Sequence, residues 1–593
     1  LRLVLILAAI AYGTAAAVHR RWVCDDAYIS YRYAKNLLDG RGLVYNEGER
    51  VEGYSNFLWT IWAAAGMALG CTPETWTIVW GIACYAGSIA LLGGWAWPPA
   101  AARPPPDPAP AHAGRRAPGA AAADTRPACA LPLAALLAAT HQDWNIYATS
   151  GLETSAFILL LLLAFVLLAR APLRDVPAGR ARRLHITCAA AGGVLALASL
   201  TRPEGPLFAA VAGLYVLYAA RPGWRCAAAP FALAFGVPYG LFLAWRFWYY
   251  GDLMPNTYYA KSANLAWWSQ GWHYLVLYFR KYAVLLSALP AALLAGAVLR
   301  RGRRAGEVAA ESRTRTLLLA ICFCFPYMLY ITRVGGDFMF ARMLLPATPF
   351  LMILMEAGLA ALAGSRPVAQ ACVSVMLLAA LVLPPYPMQG YTLIHGVANE
   401  PFWYSREGMR GRLDQLTATL GKYFAGLPVR VAFLGAEAQV MYGANIPVAI
   451  ESDAGLTDRF IARQPLDQRG RVGHEKKAPL DYLVHQRKVH FTFSQEAGPT
   501  LKLPQHIPPW KIELDGLEGL ILHWDPVLLA ELKQRGARFR DFPASIDGML
   551  PRLDTLTDQE VATAYRRIKM FYFDHVSDPQ REAPFRKRLG IQS

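Results

Sequence analysis

Apolar stretches of roughly the length needed to cross a ~30 Å hydrocarbon core recur through the first two thirds of the chain. They lie at about 1–18, 76–97, 128–142, 154–170, 185–201, 206–221, 228–245, 282–299, 316–332, 343–363 and 367–384. Short polar loops separate them. Only helices satisfy their backbone groups within one such segment, so the pattern predicts a polytopic α-helical membrane protein with about 11 transmembrane helices over 1–385. Beyond 385 the pattern changes. RVAFLG (430–435), IPVAIES (446–452) and GLILHW (519–524) read as strands, and 406–424 and 557–575 as amphipathic helices. A C-terminal soluble α/β domain over 386–593 follows.

The stretch FLWTIWAAAGMALG (57–70) is apolar but short, and is expected to lie in the outer membrane surface or re-enter it rather than span. Between 26 and 38, Ile29, Tyr33 and Leu37 recur at helical spacing, which predicts an amphipathic helix along the membrane. The Pro/Ala-rich segment 98–127 cannot bury a core and reads as a disordered linker.

Composition agrees with this picture. The chain is 55% hydrophobic and 17% charged, against roughly 25% charged in soluble domains. The net charge of +17 would suggest nucleic acid in a soluble protein. Here most arginines sit in short loops, where they report topology and not a nucleic-acid partner. Placing the arginine-bearing segments 98–127, 170–183 and 300–315 in the cytoplasm puts the N-terminus inside and the C-terminal domain outside. Arg20 and Arg21 then fall on the outer side, where they suit lipid phosphate. The first 18 residues would also pass for a signal peptide, but the polar loop behind them favours an anchored helix. Most of the nine cysteines, such as Cys84, Cys188, Cys322, Cys324 and Cys372, lie in apolar spans. No disulfide framework and no zinc motif is indicated.

The polar residues that carry chemistry collect in five external loops. The first, behind the first span, holds Asp25 and Asp26, then Glu52, Tyr54 and Asn56. Carboxylates at a membrane surface are costly unless they work. Adjacent helical residues point about 100° apart, so one of the pair acts on substrate while the other is free to cap the helix. The second loop, 141–157, carries Glu153; the third, TRPEG (201–205), carries Arg202 and Glu204. The fourth, 246–263, offers Asn256 and Lys261, and the fifth, RVGGDFMFAR (333–342), offers Arg333, Asp337 and Arg342. Cations of this kind hold phosphate. Arg202, Lys261, Arg342 and Arg333 are therefore the candidates for a donor phosphate. Glu52, Tyr54, Asn56, Glu153, Glu204, Asn256, Asp337 and, in RGRVGHEK (469–476), His474 are the candidates for sugar or acceptor. No phosphate-binding glycine loop, GxSxG elbow or dinucleotide fingerprint occurs.

The strings DDAYISYRYAKNLLDGRGLVYNEGERVEGYSNFLW, SGLET, TRPEG, PNTYYAK, GGDFMFAR and GLTDRFIARQPLDQRGRVGHEK run from 25 to 476. With them the chain resembles the GT-C class of polyprenyl-phosphate-dependent glycosyltransferases. Within that class it looks most like the actinobacterial cell-wall arabinofuranosyltransferases that add terminal β-arabinofuranose. The resemblance implies a decaprenyl-phosphoryl arabinofuranose type of donor, used as substrate with no cofactor and no required metal. It also implies a glycan acceptor outside the cytoplasm, and catalytic acids at Asp25 and Asp26. The long Pro/Ala linker departs from the family pattern. A lipid or polysaccharide flippase is the rival from another class; the absence of an inverted repeat and the gathering of polar residues at one face speak against it. A GT-C enzyme using another sugar, such as mannose, is the rival within the class.

Overall fold

A computed structural model describes residues 1–95, 131–171, 173, 181–220, 224–304, 308–363, 366–434, 437–466, 468–493 and 510–591. The linker 98–127 lies outside the described residues. Among them, six helices are long and apolar enough to cross a membrane: Arg2–His19, Pro73–Gly94, Arg182–Thr201, Trp224–Tyr250, Ala283–Arg304 and Ala310–Val334. Five more apolar helices are shorter: Phe57–Ala68, Thr154–Arg170, Gly205–Ala219, Thr348–Ala363 and Pro367–Val382.

Residues 128–142 differ from the expectation of a single span. The described part is an eight-residue helix, Leu133–Thr140, about 12 Å long at 1.5 Å per residue. Pro132 precedes it, and Glu356 accepts the N–H of Ala134 at 2.9 Å. The polar run behind it starts a new helix, Gln142–Tyr147, capped by the His141 side chain, which accepts the Trp144 N–H. The polar residues His141, Asp143 and Asn145 are buried and hydrogen-bonded to Tyr278, Tyr282 and Tyr85 respectively. Each would be expensive against lipid. The chain bends inward there to satisfy them. The stretch 57–70 forms the 12-residue helix Phe57–Ala68, about 18 Å long and shorter than a bilayer core.

The C-terminal part carries a six-stranded sheet in the order β2-β1-β3-β5-β4-β6. The strands are β1 (Arg430–Phe433), β2 (Val448–Glu451), β3 (Phe491–Thr492), β4 (Trp510–Leu514), β5 (Leu517–Ile521) and β6 (Arg538–Phe539). β1 pairs in parallel with β2 and β3; the remaining pairs are antiparallel. β1 is buried at Val431, Ala432 and Phe433, as suits a central parallel strand covered on both faces. The amphipathic helix Arg410–Phe424 turns Leu413, Leu416 and Leu420 inward, and its Phe424 ring stacks on Phe491 of β3.

The helix Asp25–Leu38 joins the two parts. Arg32 is buried and donates to the carbonyls of Met441, Ile446 and Pro447. Asn46 exchanges two 3.0 Å hydrogen bonds with the backbone of Ala449 in β2. Glu49 holds Arg487 at 2.8 Å. The sheet-bearing part therefore sits on the first polar loop, and the cleft between them is where the site forms.

Candidate functional site

Asp25 and Asp26 open the helix Asp25–Leu38, where its N-terminal dipole favours negative charge. The structure separates their roles. Asp25 is buried, and its two oxygens accept the N–H groups of Ala438 at 3.0 Å and Gln439 at 2.8 Å. It caps the helix Ala438–Gly443, tying the C-terminal part to the first loop. Asp26 is half-buried and lines a cavity of about 100 Å³ with Phe338, Glu400, Tyr404, Arg471 and His474. Burial raises its carboxyl above the usual range, although Lys261 and Arg342 pull it down; Asp337 and Glu153 add to the rise. Side chains from three other loops thus act on one carboxylate.

Beneath Asp26 lies a charged network built from four loops. Glu153 is its hub. One oxygen accepts Arg202 Nη1 and Arg342 Nη2, each at 3.2 Å. The other accepts Asn56 Nδ2 at 3.0 Å. Asn56 is itself fixed by Ser30 and Thr60, whose hydroxyls donate to its carbonyl oxygen. Arg202 forks onto Glu204 with two 3.0 Å bonds. Buried charges of this kind are tolerable only when paired, and here two guanidinium groups share three carboxylates. Arg202 was expected to face a phosphate; its donors are committed to Glu204 and Glu153 instead, because those carboxylates are the partners that burial demands.

The loop 335–341 shapes the other wall. Gly335 and Gly336 have φ of 95° and 74°, and Ala341 has φ of 63°. This tight path brings Phe338 to the cavity wall and sets Asp337 and Arg342 close enough to act on Asp26. Asp337 Oδ1 accepts its neighbour's N–H at 3.0 Å, whereas Oδ2 is buried without a hydrogen bond, 3.8 Å from Arg342 Nη1. A side chain at Gly336 would meet the Tyr274 ring at 2.4 Å. Gly336→Ala adds that overlap to a left-handed backbone costing roughly 1–2 kcal/mol. Activity in purified protein is expected to fall at least ~10-fold, since misplacing a site wall by ~1 Å is costly. Gly48→Ala, whose Cβ meets nothing within 4 Å, serves as a backbone-strain control that leaves activity unchanged.

Two cations lie against the Phe338 ring, which lines the cavity. Arg471 lies 4.8 Å and Lys261 5.9 Å from the ring centroid. Lys261 is half-buried, and among the described residues its ammonium group has no ion-paired or hydrogen-bonded partner. His474 meets the same ring edge-on at 4.8 Å. Burial pushes its imidazole down to about 3, helped by Arg471 and Lys261. It is therefore neutral at pH 7. If its Nδ1–H donates to the Val472 carbonyl at 3.2 Å, Nε2 is the ring's acceptor.

Other expected residues are committed to the scaffold. Glu52 is buried against Arg246 at 2.9 Å. The Tyr54 hydroxyl lies 3.1 Å from that of Tyr250. Asn256 donates to the carbonyls of Gly455, Leu456 and Asp458. These three brace the loops on one another. Arg333 stands in the last turn of the helix Val308–Val334, and the structure does not bring it to the cavity.

Sequence reasoning missed Glu400, Arg471 and Tyr404. Glu400 sits in NEPFWYS, a carboxylate beside aromatics, the same signal that marked the other loops. Arg471 lies three residues before His474, in a string already singled out. Among the described residues no group of three or more His, Cys, Asp and Glu is arranged to hold a metal ion.

No family model matches the chain. Over 363 residues it is 31% identical to the terminal β-(1→2)-arabinofuranosyltransferase of Mycobacterium tuberculosis, covering 57% of this chain and 52% of that one. The chain is similar to the terminal arabinofuranosyltransferases. The enzyme of the same name from Corynebacterium glutamicum is 29% identical over 354 residues, 57% of this chain and 47% of its own. The chain thus spans about half the length of the curated relatives it matches. Among solved structures, ArnT from Cupriavidus metallidurans in the apo state aligns with a TM-score of 0.49 at 12% identity, over 88% of this chain and 97% of ArnT. The Archaeoglobus fulgidus oligosaccharyltransferase AglB, in complex with an inhibitory peptide and a dolichol-phosphate, aligns with a TM-score of 0.45 at 9% identity, over 90% and 74%.

Proposed function

We propose that the protein is a membrane glycosyltransferase that moves a sugar, arabinofuranose by its likeness to the terminal arabinofuranosyltransferases, from a polyprenyl-phosphate donor to a glycan acceptor. The observation that carries this reading is the partly exposed Asp26 carboxylate in a cavity lined by Phe338 and Arg471, with Lys261 beside the Phe338 ring and close enough to act on Asp26. An unpaired ammonium and a guanidinium suit the leaving phosphate as the C1–O bond breaks. The acceptor hydroxyl attacks the anomeric carbon, and Asp26 takes its proton. The polyprenyl phosphate leaves already charged, so it needs no proton from the protein. Glu153, Arg202 and Glu204 hold the floor of the site rather than the substrate.

In this reading residues 1–385 form the catalytic membrane domain, with about 11 helices in or on an inner membrane and the N-terminus in the cytoplasm. Residues 386–593 form a periplasmic α/β domain that closes over the acceptor. The support is the inward docking of Arg471 and His474 on Phe338, which makes that domain part of the cavity wall.

The test is transfer of radiolabel from decaprenyl-phosphoryl arabinofuranose, and from polyprenyl-phosphoryl mannose in parallel, to synthetic arabinofuranosyl oligosaccharides by the purified full chain. Movement of the arabinose label alone is expected. Lys261→Met is expected to raise the donor KM ~10-fold or more, as loss of a charged hydrogen-bond donor does, with the acceptor KM little changed. No transfer from either donor overturns the reading; mannose transfer alone replaces the sugar.

A further inference from the structure

Glu400 opens a short helix, Glu400–Trp403, in the segment between the last apolar helix and the C-terminal sheet. It is 6% exposed and lines the Asp26 cavity. Its partners do not satisfy it. Tyr404, one turn on, hydrogen-bonds the carboxyl group. The second oxygen, Oε2, is buried and makes no hydrogen bond; Arg471 Nη2 lies 3.7 Å away, too far for one. Arg471 Nε is likewise buried without a partner. A buried carboxyl oxygen left open costs free energy unless something fills it, and Glu400 lines the cavity shared with Asp26.

We propose that Glu400 is a second substrate-contacting carboxyl group of this cavity, holding a sugar hydroxyl or ring oxygen opposite Asp26. This rests on the transferase reading above. The charges around the group favour a donor role. Asp26 and Asp337 act on Glu400 from the acidic side and Arg471 from the basic side; Arg412, Glu437 and Asp453 also line the cavity. His474, which lines the same cavity, is neutral. Burial pushes the Glu400 carboxyl up to about 8 against the pull of Arg471, with Asp26 and Asp337 adding to the rise. At pH 7 it is a carboxylic acid whose O–H donates to a sugar oxygen, while Asp26 is the acceptor opposite it. The pair therefore divides donor and acceptor roles on a hydroxyl-rich ring. No bond to Glu400 forms or breaks.

The experiment compares wild type, Glu400→Gln and Glu400→Ala in the arabinose-transfer assay from pH 6 to pH 9.5, with donor and acceptor varied separately. Glu400→Ala is expected to lower kcat/KM at pH 7 by ~10-fold or more, the loss of one well-placed hydrogen bond. The amide of Glu400→Gln donates as the acid does, so activity at pH 7 stays within ~3-fold, on the scale of a weakened hydrogen bond. Wild-type kcat/KM falls as pH rises through about 8, and Glu400→Gln loses that fall. The substrate whose KM moves in Glu400→Ala identifies the sugar held. A Glu400→Gln profile that still falls near pH 8, or Glu400→Ala with unchanged kcat/KM, overturns the proposal, and the former decides even if the alanine variant does not fold. Wild type inactive with every donor overturns the transferase reading itself.

Discussion

Asp26→Asn is expected to lower sugar transfer by ~10²–10⁴-fold, the range that a positioned general base contributes, with the fold intact. The asparagine keeps the size and polarity of a half-buried position and removes only the capacity to take a proton. Asp25→Asn is expected to behave differently. Its two oxygens cap Ala438 and Gln439, and an amide can accept only one of those bonds well. Loss of a cap costs ~0.5–2 kcal/mol, so this variant is expected to loosen the C-terminal part, with a lower thermal midpoint and a modest loss of rate. Steady-state kinetics beside thermal unfolding in detergent separates the two. Equal inactivation of both variants, with both fully folded, would contradict the division of labour seen between these neighbours.

The pH dependence of the wild type follows from the same geometry. A base must be ionised to act. Burial raises the Asp26 carboxyl above the usual aspartate range, so activity on the acid side is expected to appear at higher pH than for an exposed aspartate. Lys261 pulls that carboxyl down. Lys261→Met therefore moves the acid limb further up in pH, besides weakening the hold on the donor.

The largest effect on stability is expected at Glu153. Glu153→Gln leaves Arg202 and Arg342 buried with one fewer carboxylate between them, and breaking a buried pair in this way costs ~3–5 kcal/mol. The side chain of Glu153 is 4% exposed, and those of Arg202 and Arg342 are 5% and 10% exposed. Water cannot take over their hydrogen bonds. A sharp drop in thermal midpoint and in detergent-stable yield is the expected result. Glu47→Gln is the control. Its carboxylate lies 3.6 Å from Arg41 with 74% exposure, and exposed pairs contribute ~0–1 kcal/mol. Adding Arg342→Met to Glu153→Gln is expected to restore part of the loss, because it removes one of the stranded charges. A Glu153→Gln protein as stable as wild type would mean the network is hydrated.

Much of this was legible along the chain because it is local. Hydropathy placed most of the apolar helices, since burial in lipid is decided within about twenty residues. The helix behind the first span and three of the strands were readable from periodicity for the same reason. The five loops announced themselves by polar residues that a membrane protein does not keep without use. The resemblance of their motif strings is also where the proposed lipid-phosphate donor comes from.

What one residue does inside those loops was not local. Asp25 and Asp26 are chemically identical neighbours, and their separate roles depend on where the amides of Ala438 and Gln439 arrive, 413 and 414 residues along the chain. Arg202 reads as a phosphate ligand in TRPEG. Only packing shows that Glu153, 49 residues earlier, takes up its charge. Asn256 and Glu52 look like sugar ligands until the backbone of 455–458 and the side chain of Arg246 are set against them. Glu400 and Arg471 belong to the C-terminal part and gained significance only when that part docked over Asp26. Composition and pattern specify which segments meet lipid and which meet water. Which polar atoms find partners, and which are left open toward a substrate, is set by contacts between distant segments, because a buried charge is stabilised by whatever folds beside it and not by its neighbours in sequence.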